Sequence, residues 1–121
     1  MWYKLDEDNN VVPCESIYDH MEFMTNHSRL QVGFDKINGI GISTVFLGIN
    51  HSYRTGKPVV FETALFYPDK TVVTKRYHTW KEAEIRHEYY CKCVRDGIDE
   101  EELSLEGLSA LAKALSDYTG E

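Results

Sequence analysis

The sequence predicts an α+β fold, an antiparallel sheet of about four to six strands packed against two or three helices. Three observations carry that prediction. Four runs rich in β-branched and aromatic residues, RLQVGFDKI, ISTVFLGINH, VVFETALFY and TVVTKRYH, follow one another between Arg29 and His78. The segments joining them, NGIG, SYRTGKP and PDK, are too short for the crossover of a parallel pair, so the strands should form a meander. Stretches with the period of a helix lie before the strands, from Ser16, and after them, from Thr79.

At the start, WYKLDEDNNVVPC reads as a strand, a polar turn and a short second strand. Asp8, Asn9 and Asn10 tolerate turn geometry. Pro13 offers no N–H to a ladder, which confines the second strand to an edge or an end. In SIYDHMEFMTNH, Ser16 and Asp19 resemble a capping box with Asp in place of Glu. Ile17, Met21 and Met24 then fall at i, i+4 and i+7, predicting one apolar stripe. In ISTVFLGINH, Val45, Leu47 and Ile49 alternate with Thr44, Phe46 and Gly48. Both sets are mostly apolar, which predicts a central strand covered on both faces. In VVFETALFY, Val60, Glu62, Ala64 and Phe66 share one face, and Val59, Phe61, Thr63, Leu65 and Tyr67 the other. Thr79 and Glu82 form a T-x-x-E box that starts a helix at Trp80, ending near Asp96 with Gly97 as a left-handed cap. IDEEELSLEGLSALAKALSDY predicts a third helix, or a turn and a helix, with Leu105, Leu108, Leu111, Ala112 and Leu115 as its stripe.

The 121 residues fit one domain and can bury about two-thirds of their unfolded surface, so no disulfide or metal staple is required. Three cysteines cannot close a disulfide framework; Cys14, Cys91 and Cys93 read as free thiols in a reducing compartment. No apolar run approaches the roughly 18 residues of a membrane span. The start lacks a basic region followed by an apolar one, so the expected location is the cytoplasm. Charge is segregated. Residues 1–95 hold 12 basic and 12 acidic side chains, whereas residues 96–121 hold one basic and eight acidic, which accounts for the whole net charge of −7. The predicted organisation is a core domain over residues 1–97 and an acidic C-terminal helical segment over residues 98–121, packed on the core or extending from it. Such a segment repels phosphate backbones and attracts a basic protein surface. Direct nucleic-acid and membrane binding are therefore not expected.

The stretch RYHTWKEAEIRHEYYCKC concentrates chemistry-bearing side chains. On a helix stepping about 100° per residue, Trp80, Ala83, Tyr90, Cys91 and Val94 lie within about 60° of His87. His87 thus sits in the apolar stripe, and the expectation is a partly buried histidine hydrogen-bonded to a backbone carbonyl or a hydroxyl. Cys91 and Cys93 are about 160° apart, which rules out one tetrahedral zinc held by this pair. Glu62, in an internal strand, calls for a partner; Arg76 in the next strand is the natural one, and a hydrogen bond to Tyr77 or Thr63 is the other. An alternative brings His51, Glu62 and His87 together as a ligand or metal site with an open position, or as an acid–base group. Cys14 lacks a companion base. There is no phosphate loop and no G-x-S-x-G elbow. No catalytic residues and no cofactor are predicted.

Three blocks in order, STVFLGINH (Ser43–His51), FET (Phe61–Thr63) and RYHTWKEAEIRH (Arg76–His87), with YKLDEDNNVVPC at the start, give the chain a family likeness. It resembles an uncharacterised family of small phage-encoded proteins with the pattern S-T-V-F/W-L-G-x-x-H, F-E-T, R-Y-x-T-W-x-E-A-E-x-x-H. The resemblance spans roughly residues 2–95. Asn50 before the histidine departs from it, and the acidic segment after Gly97 lies outside it. The resemblance implies a phage or prophage origin and hence the cytoplasm of an infected bacterial host.

The function expected is that of a non-enzymatic interaction protein that binds and modulates a host protein with a basic surface, either a defence factor (an anti-defence role) or a nucleic-acid-handling factor. Asp99, Glu100, Glu101, Glu102 and Glu106 are the expected partner-binding residues. A small-ligand, nucleotide or metal-binding protein built on His51, Glu62 and His87, and a virion structural component, are the alternatives. Self-association is left open.

Overall fold

The computed structural model describes residues 2–50 and 56–98. Its elements run β1 (Tyr3–Leu5), β2 (Val11–Pro13), α1 (Ile17–Met24), α2 (His27–Leu30), β3 (Gln31–Ile37), β4 (Ile40–Phe46), β5 (Phe61–Phe66), β6 (Thr71–Tyr77) and α3 (Trp80–Arg95). β1 and β2 form an antiparallel pair, and β3-β4-β5-β6 form an antiparallel sheet in chain order, with α3 packed across it. The α+β fold and the meander are as the sequence predicts. The third helix predicted after Gly97 lies outside the described residues. Among the described residues, no helix is long and apolar enough to cross a membrane.

Local chemistry explains the joints. Asn38 and Gly39 both take positive φ, the geometry of the two-residue turn that matches strand twist, and it closes the β3–β4 hairpin. The side chain of Thr79 accepts a hydrogen bond from the Glu82 N–H and starts α3. At the other end, Gly97 has φ +78°, its N–H reaches the Val94 carbonyl, and the Ile98 N–H reaches the Cys93 carbonyl. This is the paired closure that a left-handed residue after a helix permits.

Three expectations require correction. β4 ends at Phe46 instead of continuing to residue 51. Beyond it the chain turns at Gly48, whose carbonyl accepts from the Tyr3 N–H, and Ile49 bridges Trp2. The apolar stripe of α1 is not Ile17, Met21 and Met24. Ile17 and Met21 are exposed, whereas His20 is buried and Phe23 and Met24 pack on the core. Among the described residues, the sheet is also covered on one face only. Ile42, Thr44, Phe46, Phe61, Thr63 and Leu65 are buried on the face toward α3. On the other face Phe34, Phe66 and Val73 are 53%, 43% and 49% exposed.

Among the described residues the core has two apolar clusters. Ile42, Leu65, Tyr90, Cys91, Cys93 and Val94 form one, under the C-terminal half of α3. Leu5, Phe46, Val60, Phe61, Tyr77 and Ala83 form the other, under its N-terminal half and beside the β1–β2 hairpin. Between them in sequence along β4, β5 and α3 fall three buried polar residues, Thr44, Thr63 and His87.

Candidate functional site

Those three residues belong to one hydrogen-bonded chain that takes one side chain from each strand of the sheet and one from α3. Asp35 (β3) lies 2.7 Å from His87 Nε2 (α3). His87 Nδ1 lies 2.8 Å from Thr44 Oγ1 (β4), and Thr44 Oγ1 lies 2.7 Å from Thr63 Oγ1 (β5). Tyr77 (β6) donates its hydroxyl to Thr63 Oγ1 at 3.0 Å. Register explains the alignment. Thr44 and Thr63 are direct cross-strand partners, and Gly33 is opposite Thr44. Asp35, two residues beyond Gly33, returns to the same face.

Gly33 makes room for the histidine. A Cβ there would stand 2.8 Å from both Cδ2 and Nε2 of His87. The ring can lie over β3 and reach Asp35 only because residue 33 has no side chain. An irregularity in β3–β4 pairing between Gln31 and Gly33 sets which residue faces the ring.

The direction of the chain follows from its end. A carboxylate only accepts, so His87 Nε2–H donates to Asp35. With Tyr77 donating at the far end, each hydroxyl donates once if Thr63 donates to Thr44 and Thr44 to Nδ1. Aligned hydrogen bonds of this kind polarise one another in a low-dielectric interior. The Cys91 thiol, one helical turn beyond His87, also donates to Asp35 Oδ2, at 3.4 Å. The His87 N–H, with help from this thiol, holds the Asp35 carboxyl below its ordinary range despite partial burial. Burial, reinforced by the neighbouring carboxylate, pushes the Cys91 thiol up to about 12. Burial likewise raises Tyr77.

An Asp–His–Thr series has the composition of an acid–base–nucleophile relay, but here the hydroxyl end is sealed. Thr44 and Thr63 have no exposed surface and His87 is 3% exposed, whereas the Asp35 side chain is 51% exposed. A substrate can reach the carboxylate and cannot reach the hydroxyls. The arrangement is a polar brace across the whole sheet, open to solvent at its carboxylate end. A cleft of about 630 Å³ opens elsewhere, between the β1–β2 turn and the start of α3, lined by Asn9, Lys57, His78 and Trp80 among others. None of the relay residues lines it.

Of the predicted site residues, His87 is bonded to a hydroxyl as expected, and it is buried more completely than the partial burial expected. Glu62 is not brought to it. Strand alternation turns Glu62 to the face opposite Thr63, where it pairs with Arg76, its register partner, at 3.0 Å. The His51–Glu62–His87 grouping is therefore not formed between its last two members, and His51 lies outside the described residues. So do Asp99, Glu100, Glu101, Glu102 and Glu106. Sequence reasoning missed Asp35 and Thr44 as the partners of His87, and Thr63, Tyr77 and Cys91 as the residues that extend the chain beyond them. The His87-x-x-x-Cys91 spacing, which puts both side chains on one helix face, was the available signal. Comparison with protein-family models, curated proteins and solved structures finds no match to this chain.

Proposed function

We propose that the chain is a non-enzymatic interaction protein of phage type, which binds a host protein with a basic surface and modulates it. The observation that carries this reading is the face of the sheet that no described element covers. Phe34 and Phe66 flank Gly41, whose absent Cβ would lie 3.7 Å from the one and 3.4 Å from the other. Val73 is opposite Ala64, two residues along from Phe66. Together they put exposed apolar side chains from three strands on one face of the sheet, with Lys36 beside the two phenylalanines and the Arg76–Glu62 pair on β5 and β6. Exposed apolar area of this kind marks a contact surface. The inward-facing hydroxyls of the relay support the same reading, because they offer no reacting group to a substrate.

The acidic residues Asp99 to Glu102 and Glu106 supply the second half of the interaction. They steer the approach of a basic partner, and the apolar face holds it. The test is retention of proteins from a bacterial lysate on the immobilised chain, compared with Phe34→Ser/Phe66→Ser and with Glu100→Gln/Glu101→Gln/Glu102→Gln. A specific partner should be lost with the phenylalanine variant. With the glutamine variant it should be retained more weakly and with a flatter dependence on salt. Equal recovery with all three baits removes the proposal.

A further inference from the structure

We infer that Asp35, His87 and Cys91 form a binding site for one divalent transition-metal ion of the zinc type. Their ligand atoms, a carboxylate oxygen, Nε2 and Sγ, all lie within 4.8 Å of one another. Two come from successive turns of α3 and the third from the facing edge strand, so helix and sheet converge on one point. Around a tetrahedral ion with ligand distances of about 2.0–2.3 Å, neighbouring ligand atoms stand roughly 3.3–3.5 Å apart. The Sγ–Oδ2 distance is already 3.4 Å. Nε2 and Oδ2 are 2.7 Å apart and must separate by about 0.6 Å, a shift well within reach of a half-exposed carboxylate on an edge strand.

The donor set selects the class of ion. Calcium and magnesium take oxygen ligands, whereas a thiolate and an imidazole with one carboxylate suit zinc and its spectroscopic stand-in cobalt. The surroundings are those of a ligating histidine. Its second nitrogen is bonded to a buried hydroxyl, which fixes the ring, and Gly33 leaves the space the ring occupies. With three protein ligands the fourth position falls to water, and the exposed side of Asp35 is where water reaches it. The Cys91 S–H proton leaves to solvent, and the ring proton is given up at Nε2 and regained at Nδ1, where Thr44 Oγ1 accepts it. One proton is released per ion, and the hydroxyl protons of Thr44 and Thr63 rotate to follow. This site goes beyond the interaction surface on the opposite face of the sheet and does not depend on it.

The experiment is a titration of the full-length, untagged, reduced and chelator-stripped chain with cobalt(II), followed by displacement with zinc. A thiolate-to-cobalt charge-transfer band should grow to one equivalent and vanish when zinc is added. Cys91→Ser should abolish the band, and Asp35→Asn should weaken cobalt binding at least tenfold. Cys93→Ser and Cys14→Ser should leave the titration unchanged. Because the wild-type titration stands alone, a variant that fails to fold does not protect the proposal. The site is ruled out if the wild-type chain gives no band, or if the band survives Cys91→Ser or needs Cys93.

Discussion

A single methyl group at residue 33 is the smallest change that tests whether the buried histidine is held as described. The Cβ of Gly33→Ala would meet the imidazole at 2.8 Å, closer than real Cβ contacts come. Either the ring leaves Asp35 and Thr44 or β3 moves outward. Overpacking of this kind costs about 1–3 kcal/mol, so the urea midpoint of Gly33→Ala should fall accordingly with an unchanged slope. A variant as stable as the parent would mean that the ring does not rest on Gly33. The same residues show where the sequence was legible and where it was not. The burial of His87 was readable because helical period alone places it among Ala83, Tyr90 and Cys91. Asp35 was not, because one acid in an edge strand looks like any solvated side chain. Its role depends on the β3–β4 register and on the missing Cβ two residues before it. Glu62 was readable to its partner, since cross-strand pairing with Arg76 satisfies a carboxylate wherever the strand lies.

At the scale of elements, the parts specified by neighbours in sequence were predictable, and those specified by distant contacts were not. α3 begins and ends as Thr79, Glu82 and Gly97 dictate. Thr79→Ala removes the acceptor for the Glu82 N–H and the hydroxyl that donates to Glu82 Oε1 at 3.1 Å. The expected loss is about 1 kcal/mol, read as a drop in thermal midpoint, and Thr79→Ser should restore most of it. If Ala and Ser behave alike, the hydroxyl does not cap the helix. α1 went the other way. Its apolar pattern pointed to Ile17 and Met21, yet the helix turns His20 inward. The ring stacks near Trp2 and its Nδ1 lies 3.2 Å from the Tyr3 carbonyl. A Cβ at residue 48 would stand 2.7 Å from the His20 ring. These determinants sit far along the chain or on the other side of a turn, and a short helix with a weak pattern yields to them. Likewise, β4 appeared two-sided because its outer residues are apolar. Among the described residues no element covers that face, where Phe34, Phe66 and Val73 of the other strands are exposed, and alternation of apolar residues cannot by itself show what covers a face.

At the scale of the whole molecule, carboxylates act as ties between elements, which fixes how the fold should respond to acid. Asp6 closes the β1–β2 turn through Asn10 and Asp8, Asp19 joins α1 to β1 through Lys4, and Asp35 joins β3 to α3. Each is held below the ordinary aspartate value of 3.8, Asp6 mainly by the Asn10 N–H, Asp19 mainly by Lys4 and Asp35 mainly by His87. A carboxyl with a depressed folded pKa binds its proton less readily folded than unfolded. It therefore adds stability above the unfolded value, and that contribution is lost as pH falls through the folded one. Asp19 gives the cleanest test, because its ties to Lys4 Nζ and to the Glu15 N–H share no partner with the relay. Asp19→Asn keeps the shape and removes the charge. Denaturation midpoints of parent and variant should differ at neutral pH, with the parent more stable. The gap should hold down to about pH 5 and close progressively below 3.8, until the two curves meet once Asp19 is protonated in both states. A gap that stayed constant to pH 2 would show that the substitution acts through packing and that the charge of Asp19 is not what ties the first helix to the first strand.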